Sequence, residues 1–503
     1  MAPLASARLP LSVTLTGIGA AAMLVPAMHA ALARDWDTAR AFLQSALLFV
    51  VILALLTLAL RGRVRRRLVR SQLSTLIAAY TLLPAMLAVP FVEAVGNTRF
   101  LSGWFEMVSS LTTTGATLYA PERLSDSLHL WRALVGWMGG FLIWVSAVAI
   151  LAPLNLGGFE VASGREAGNA SLSATQITRV ADADERLQRF ARDLAPIYAG
   201  LTLVLGVCLI IAGEAPIDAV CHAMSTLATS GITTGEGPTS TIFAEMLVAL
   251  FMVFALSRRT FSREATGAAA LRLSKDPELR MGLTVVGVLP LLLVLRHWAG
   301  AYDIADQQNV VAALKAFWGG VFTTMSFLTT TGWESTEWIT ARDWSGLSTP
   351  GLILVGLSLV GGGVATTAGG VKLLRIYALY AHGTRELEKL VHPNSVGGAG
   401  TEARRIRSRG AYIAWIFFML FALSVAAVMA ALSLTGQGFE QSVILTIAAL
   451  STTGPLAEVA GSAPTGYDTL GDSARVILAA AMVLGRMETL ALIALMNPAF
   501  WRN

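Results

Sequence analysis

Apolar runs and short hydroxyl-rich strings alternate along this chain in a regular order. Hydrophobic stretches near 11–33, 41–60, 74–96, 130–154, 193–213, 239–257, 281–299, 346–380, 410–434 and 471–496 predict helices. A bilayer core of about 30 Å takes about 20 helical residues, and by this measure about ten to twelve spans are expected. After an opening hairpin, one unit comes four times: an apolar span, a shorter half-apolar segment, a hydroxyl-glycine string and a second span. The middle segments, such as "RFLSGWFEMVSSL" and "GFEQSVILTIAAL", are too short to cross and have the length of re-entrant helices. The expected division is a hairpin with a basic loop over 1–70, a first repeat over 71–160, a cytoplasmic linker over 161–192, a second repeat with its basic loop over 193–280, a third repeat and linker over 281–409, and a fourth repeat over 410–503.

The strings align on glycine: "LTTTG" at 111–115, "LATSG" at 227–231, "LTTTG" at 328–332 and "LSTTG" at 450–454. Leucine stands four before each glycine and threonine two before it, and the glycines are 116, 101 and 122 residues apart. One such string says little, because Ser and Thr in membrane helices can bond back to their own carbonyls. Four in equivalent settings mark an internal repeat. Irregular backbone at membrane depth survives only where it is buried in protein or lines a watery cavity. Four short extended segments around one axis meet that condition. Their carbonyls, helped by threonine hydroxyls, can replace the hydration shell of a monovalent cation, and glycine allows backbone angles that turn carbonyls inward. The C-terminal end of a short helix aimed at the same point adds partial negative charge.

Composition agrees with a polytopic membrane protein. The 503 residues are 55% hydrophobic and 14% charged with mean hydropathy +0.63, whereas soluble chains carry about 25% charged residues. The net charge of +5 does not indicate nucleic acid, because the arginines lie between spans, as in "RGRVRRRLVR" and in 258–280, where they set topology. By the positive-inside rule these loops, with 155–192, 381–409 and both termini, face the cytoplasm, and the glycine strings face outward. The N-terminus resembles a secretory signal ending at Ala31-Leu32-Ala33, but its apolar run exceeds the usual core of about 7–15 residues, so a retained first helix is expected. Cys208 and Cys221 have neither disulfide nor zinc spacing. The chain has no HExxH, GxSxG, GxxxxGK[ST] or GxGxxG, so neither an enzyme nor a bound cofactor is expected.

These features together resemble the Trk/Ktr/HKT superfamily of potassium uptake proteins, and within it the bacterial TrkH-like members. Besides the four strings, the resemblance rests on "GWMGGFLIWVSAVAILAPLNLGG", "GGGVATTAGGVKLLRI", "LEKLVHPNSV" and "LGRMETLALIALMNPAFW". It implies an all-α polytopic membrane protein with two extra N-terminal helices and four helix–pore loop–helix repeats in pseudo-fourfold symmetry around one pore. The implied potassium filter is Thr113, Thr114 and Gly115; Thr229, Ser230 and Gly231; Thr330, Thr331 and Gly332; and Thr452, Thr453 and Gly454. A serine at the first glycine position accompanies sodium preference in some plant relatives, and all four are glycine here. The implied gate is an intramembrane loop holding Gly361, Gly362, Gly363, Ala365, Thr366, Thr367, Gly369 and Gly370, followed by Lys372, with Arg486 as a nearby basic residue. K+ is then the only metal ion, held at the filter as cargo. The resemblance further implies a homodimer in the bacterial inner membrane, regulated by a cytoplasmic nucleotide-binding, TrkA-like ring. A Na+/K+ symporter, or a weakly selective monovalent cation transporter, is the alternative.

Other expectations come from the residues themselves. Thr117, Thr233, Glu334 and Leu456 stand where a second filter glycine would be, so fewer ordered carbonyl rings and modest selectivity follow. Glu122, Glu236, Glu334 and Glu458 each follow a filter glycine within seven residues; they form either a ring that concentrates cations or a set of solvated loop charges. Arg486 either raises the barrier to cations or pairs with Glu488, and the two are compatible. The second repeat departs from the family at Ser230 and Ile232 and in its closing helix, and Pro455 follows the fourth glycine directly.

Overall fold

The computed structural model describes residues 11–59, 69–152, 158–159, 183–235, 241–257, 276–300, 310–345, 351–392, 408–461 and 464–487, and every regular element among them is helical. Seven helices among these residues are long and apolar enough to cross a bilayer: Leu11–Leu32, Trp36–Ala59, Thr75–Val95, Asp126–Leu151, Arg186–Ile211, Pro277–Arg296 and Gly410–Ser433. This is fewer than the hydrophobic pattern predicts, because two of the runs do not form single long helices and the last lies partly outside the described residues. The run at 239–257 gives only the short apolar helix Ile242–Ala255. The run at 346–380 is broken into Gly351–Val360 and Leu373–Val391 by an irregular loop. The last run forms Asp472–Met487, and its remainder lies outside the described residues.

The re-entrant segments are the helices Phe100–Leu111, Pro216–Ala228, Val310–Leu328 and Phe439–Leu450, here called pore helices. The third, at 19 residues, is longer than its sequence suggested. Its polar Lys315 pairs with Glu337 at 2.9 Å, which keeps its first turns at a polar level. Each pore helix packs against the closing helix of the preceding repeat: the second on Asp126–Ser146, the third on Ile242–Met252, the fourth on Gly351–Val360, and the first on Asp472–Met487. The fourth repeat thereby meets the first, and the repeats form a closed circle.

Burial separates inner from outer helices. Asp126–Leu151, which closes the first repeat, has 72% of its span buried, whereas Gly410–Ser433, which opens the fourth, has 17%. The opening helices therefore present Leu, Val and Ile to lipid, and the closing helices form the wall around the pore helices. The N-terminal hairpin packs on Val69–Val95 and Asp126–Ser146, where His29 bonds the Ser127 hydroxyl at 2.8 Å.

Candidate ion pathway

Every pore helix ends in the same conformation. Thr113, Thr229, Thr330 and Thr452 all take left-handed backbone angles, with φ of 54°, 50°, 59° and 55°. That region costs a non-glycine residue about 1–2 kcal/mol, so packing imposes it. It reverses the chain: the N–H groups of Thr114, Ser230, Thr331 and Thr453 donate to the carbonyls of Ser109, Ser225, Ser326 and Ala448 at 2.8, 3.0, 2.8 and 2.8 Å. This is a Schellman closure with threonine in the place glycine usually takes. The helix-end carbonyls are satisfied, and the chain leaves the helix as an extended strand.

The glycines that follow are pressed into a ring. A Cβ at Gly115 would run into the Ser230 carbonyl, and one at Gly231 into the Thr331 carbonyl. A Cβ at Gly332 would sit 3.0 Å from Thr453 Cγ2, and one at Gly454 would lie 2.7 Å from the Thr114 carbonyl oxygen. Each segment thus touches the next in chain order and the fourth touches the first. The structure brings the strands of all twelve expected filter residues together. Gly115, Gly231 and Gly332 have φ of 77°, 67° and 87°, whereas Gly454 is not left-handed, a difference from the expected fourfold equivalence.

The hydroxyls sort into two sets. Thr114, Thr331 and Thr453 pair with the hydroxyls of Thr112, Thr329 and Ser451 at 2.8, 3.0 and 3.2 Å. Ser230 has Ala228 at that place and pairs instead with Ser225 at 3.0 Å. These four brace the strands. The left-handed threonines are at most 1% exposed, and the hydroxyls of Thr113 and Thr452 have no hydrogen-bond partner among the described residues. Their oxygens are available to a partly dehydrated cation. The Thr229 hydroxyl donates to Ala228 O at 2.8 Å.

Thr330 connects the ring to the glycine-rich loop, its hydroxyl accepting from the Gly369 N–H at 2.7 Å. The loop lies tightly under the ring. A Cβ at Gly369 would collide with the Ser451 carbonyl and the Thr452 hydroxyl, and the Thr367 hydroxyl donates to Leu227 O, at the end of the second pore helix, at 3.0 Å. Its two ends are pinned together, with Val371 and Lys372 N–H donating to Leu359 and Val360 carbonyls at 3.0 Å each. Elsewhere Gly363 N–H donates to Ala255 O at 2.9 Å and Val364 N–H to the Glu278 carboxylate at 2.8 Å. Lys372 donates to the Ala368 carbonyl. Arg486, 4% exposed, donates through Nη1 to Thr367 O at 2.7 Å, and its guanidinium also meets the Tyr80 hydroxyl. Glu488, its anticipated partner, lies outside those residues.

Of the outer glutamates, Glu122 and Glu458 are exposed, Glu334 is half-buried, and Glu236 lies outside the described residues. Burial pushes the Glu334 carboxyl up to about 7, against the pull of Arg342 and with a smaller push from Glu458.

Several buried or half-buried groups that bond to the strands were not anticipated from the sequence. Glu106 on the first pore helix pairs with Arg132 at 2.7 Å and accepts from Leu118 N–H at 3.1 Å. Asp218 on the second accepts from the Thr234 hydroxyl at 2.5 Å. Glu245, fully buried, accepts four hydrogen bonds of 2.7–2.9 Å from Trp318 Nε1, the Ser335 hydroxyl, and the N–H and hydroxyl of Thr336. A lone carboxylate inside an apolar segment was the available signal. Glu245→Ala strands these donors, and each buried unsatisfied group costs about 1–3 kcal/mol. The variant is expected to lower thermal stability in detergent and potassium-dependent uptake together, as measured by a melting assay and tracer flux.

A family model described as "Cation transport protein", TrkH, matches residues 39–502. The chain belongs to the TrkH family. Curated relatives of this family include the Trk system potassium uptake protein TrkH of Vibrio parahaemolyticus, 31% identical over 438 residues and covering 84% of each chain. The protein of the same description from Salmonella typhimurium is 30% identical over 488 residues, covering 96% of each chain. Among solved structures, the crystal structure of the potassium transporter TrkH from Vibrio parahaemolyticus superimposes with a TM-score of 0.78 at 26% identity, over 97% of this chain and 98% of that one. The TrkH match places this chain among multi-pass membrane proteins, in keeping with its seven apolar helices.

Proposed function

We propose that this chain is the ion-translocating subunit of a potassium uptake system, moving K+ inward through a gated pore. The observation that carries this reading is the closed ring of four Thr-x-Gly strands, with two threonine hydroxyls that have no partner among the described residues and a glycine loop packed beneath it. The relatives named as potassium uptake proteins fix the choice of ion. In this reading backbone carbonyls of the four Thr-x-Gly strands take over the hydration shell of K+. The loop from Gly361 to Gly370 is the gate, and Lys372 and Arg486 hold it by their bonds to its carbonyls. The work comes from the membrane potential: 100 mV is about 2.3 kcal/mol per elementary charge, enough for roughly a fiftyfold gradient at about 1.4 kcal/mol per tenfold. No cofactor enters this scheme.

The chain sits in the inner membrane with both termini in the cytoplasm. It pairs with a second copy, and its basic inner loops dock a TrkA-like nucleotide-binding ring. The test is growth at low potassium, and rubidium uptake, in bacterial cells stripped of their own potassium uptake systems. Expression of the chain is expected to restore both; absence of rubidium uptake from a chain present in the membrane would sink the reading.

Glu334 supplies a pH dependence. A carboxyl pushed up to about 7 is charged above that pH and neutral below it, so the mouth loses negative charge as the outside acidifies. Rubidium uptake at micromolar concentration is expected to fall about twofold or more between external pH 8 and 6, a modest effect because mouth charges act through a screened field. Glu334→Gln should flatten this profile and hold uptake at its low-pH level.

A further inference from the structure

The fourth strand is built differently from the other three. Its threonine, Thr452, is left-handed like its counterparts, but Gly454 is not. The residue before proline is kept from the α region by the pyrrolidine ring, and Pro455, with φ of −59°, starts the short helix Leu456–Val459. No helix starts directly after the glycines of the other three strands. The fourth turns at once.

Both polar groups of Gly454 are committed to protein. Its N–H donates to the Thr114 carbonyl at 2.6 Å, which occupies an oxygen of the first strand as well. Its carbonyl accepts from the Tyr467 hydroxyl at 2.9 Å. Tyr467 is 1% exposed and packs against Phe105 on the first pore helix, ring centroids 6.1 Å apart, so its hydroxyl is held where it is. The ring of Pro455 reaches two other strands. A Cβ at Gly231 would lie 2.9 Å from Pro455 Cγ, and one at Gly332 would lie 3.1 Å from Pro455 Cδ. In the cyclic order of contacts the second strand stands opposite the fourth, so the proline extends across the mouth of the ring.

We infer that Pro455, held by the Tyr467 to Gly454 hydrogen bond, is the outer constriction of the pore and a specificity-determining residue, and that at the glycine level the ion is bound from three strands rather than four. An apolar ring stands where a fourth carbonyl would complete the shell. Such a site compensates less of a cation's dehydration, and discrimination between monovalent cations rests on the number and field of the oxygens around the ion. The inference rests on the potassium-uptake reading, which the wild-type chain tests by itself.

The experiment measures rubidium and sodium influx in the same potassium-uptake-deficient cells for the wild-type chain, Pro455→Ala, Pro455→Gly and Tyr467→Phe. Removing the ring is expected to raise rubidium influx at saturation at least threefold in Pro455→Gly, with a smaller rise in Pro455→Ala. Tyr467→Phe frees the Gly454 carbonyl and is expected to change the rubidium-to-sodium influx ratio at least threefold. The ratio is independent of how much protein reaches the membrane. Ratios and saturating fluxes within twofold of wild type in all three variants, or loss of influx in both proline variants, would overturn the inference while leaving the uptake function intact. Absence of influx in the wild-type chain would instead remove the reading beneath it.

Discussion

Gly115→Val is expected to lower rubidium uptake by two orders of magnitude or more, while Gly96→Val leaves it near the wild-type level. The comparison is informative because both glycines have the same φ of 77°. Each variant therefore carries the same left-handed penalty of about 1–2 kcal/mol. What differs is the surroundings. Gly96 has nothing within 4 Å of an added Cβ, whereas at Gly115 the new atom would overlap the Ser230 carbonyl, a filter oxygen of the next strand. Backbone cannot give way as a flexible side chain can, so the ring must widen or tilt, and about 3 kcal/mol of lost ion stabilisation corresponds to roughly a hundredfold. Gly332→Val should behave like Gly115→Val. Uptake by Gly115→Val within threefold of wild type, at equal membrane abundance, would refute the ring as the ion path.

The second large effect is expected at Arg486. In Arg486→Gln the basal influx of rubidium, measured without any regulatory partner, should rise about tenfold. Two causes act in the same direction. The Nη1 bond to Thr367 O is lost, loosening the loop, and a buried positive charge leaves the neighbourhood of the path. At an effective dielectric of about 20 a unit charge opposes a cation by about 4 kcal/mol at about 4 Å, falling in inverse proportion to distance, so a tenfold rise, about 1.4 kcal/mol, needs only part of that effect. Arg486→Lys keeps the charge but loses the planar fork, and should fall between the two. Unchanged influx in Arg486→Gln would mean that the residue only packs the closing helix.

The parts of this structure that could be read from sequence are those enforced by the bilayer. Seven long helices stand where the apolar runs are, because a lipid-facing surface must be continuously apolar. The four strands with left-handed threonines stand where Thr-x-Gly recurs, because no packed helix requires that string four times. The glycine loop at 361–370 was legible for the same reason, as a break in an otherwise apolar run. What was hidden depends on contacts between distant segments. Glu245 sits one repeat ahead of the strand it holds, and Tyr467 thirteen residues beyond the glycine it bonds; nothing local marks either pairing. The asymmetry of the fourth strand was visible as Pro455, but its reach toward Gly231 required the circle of repeats to be closed in space.

That circle is made from one chain, which changes how it can vary. In a ring assembled from identical subunits every substitution enters four times, so a proline beside the filter glycine would obstruct from all sides at once. Here a single codon change enters once. Each quadrant can be altered in a dose of one, and a library varying Thr117, Thr233, Glu334 and Pro455 independently would sample mouths of stepwise different polarity that no homotetramer could form.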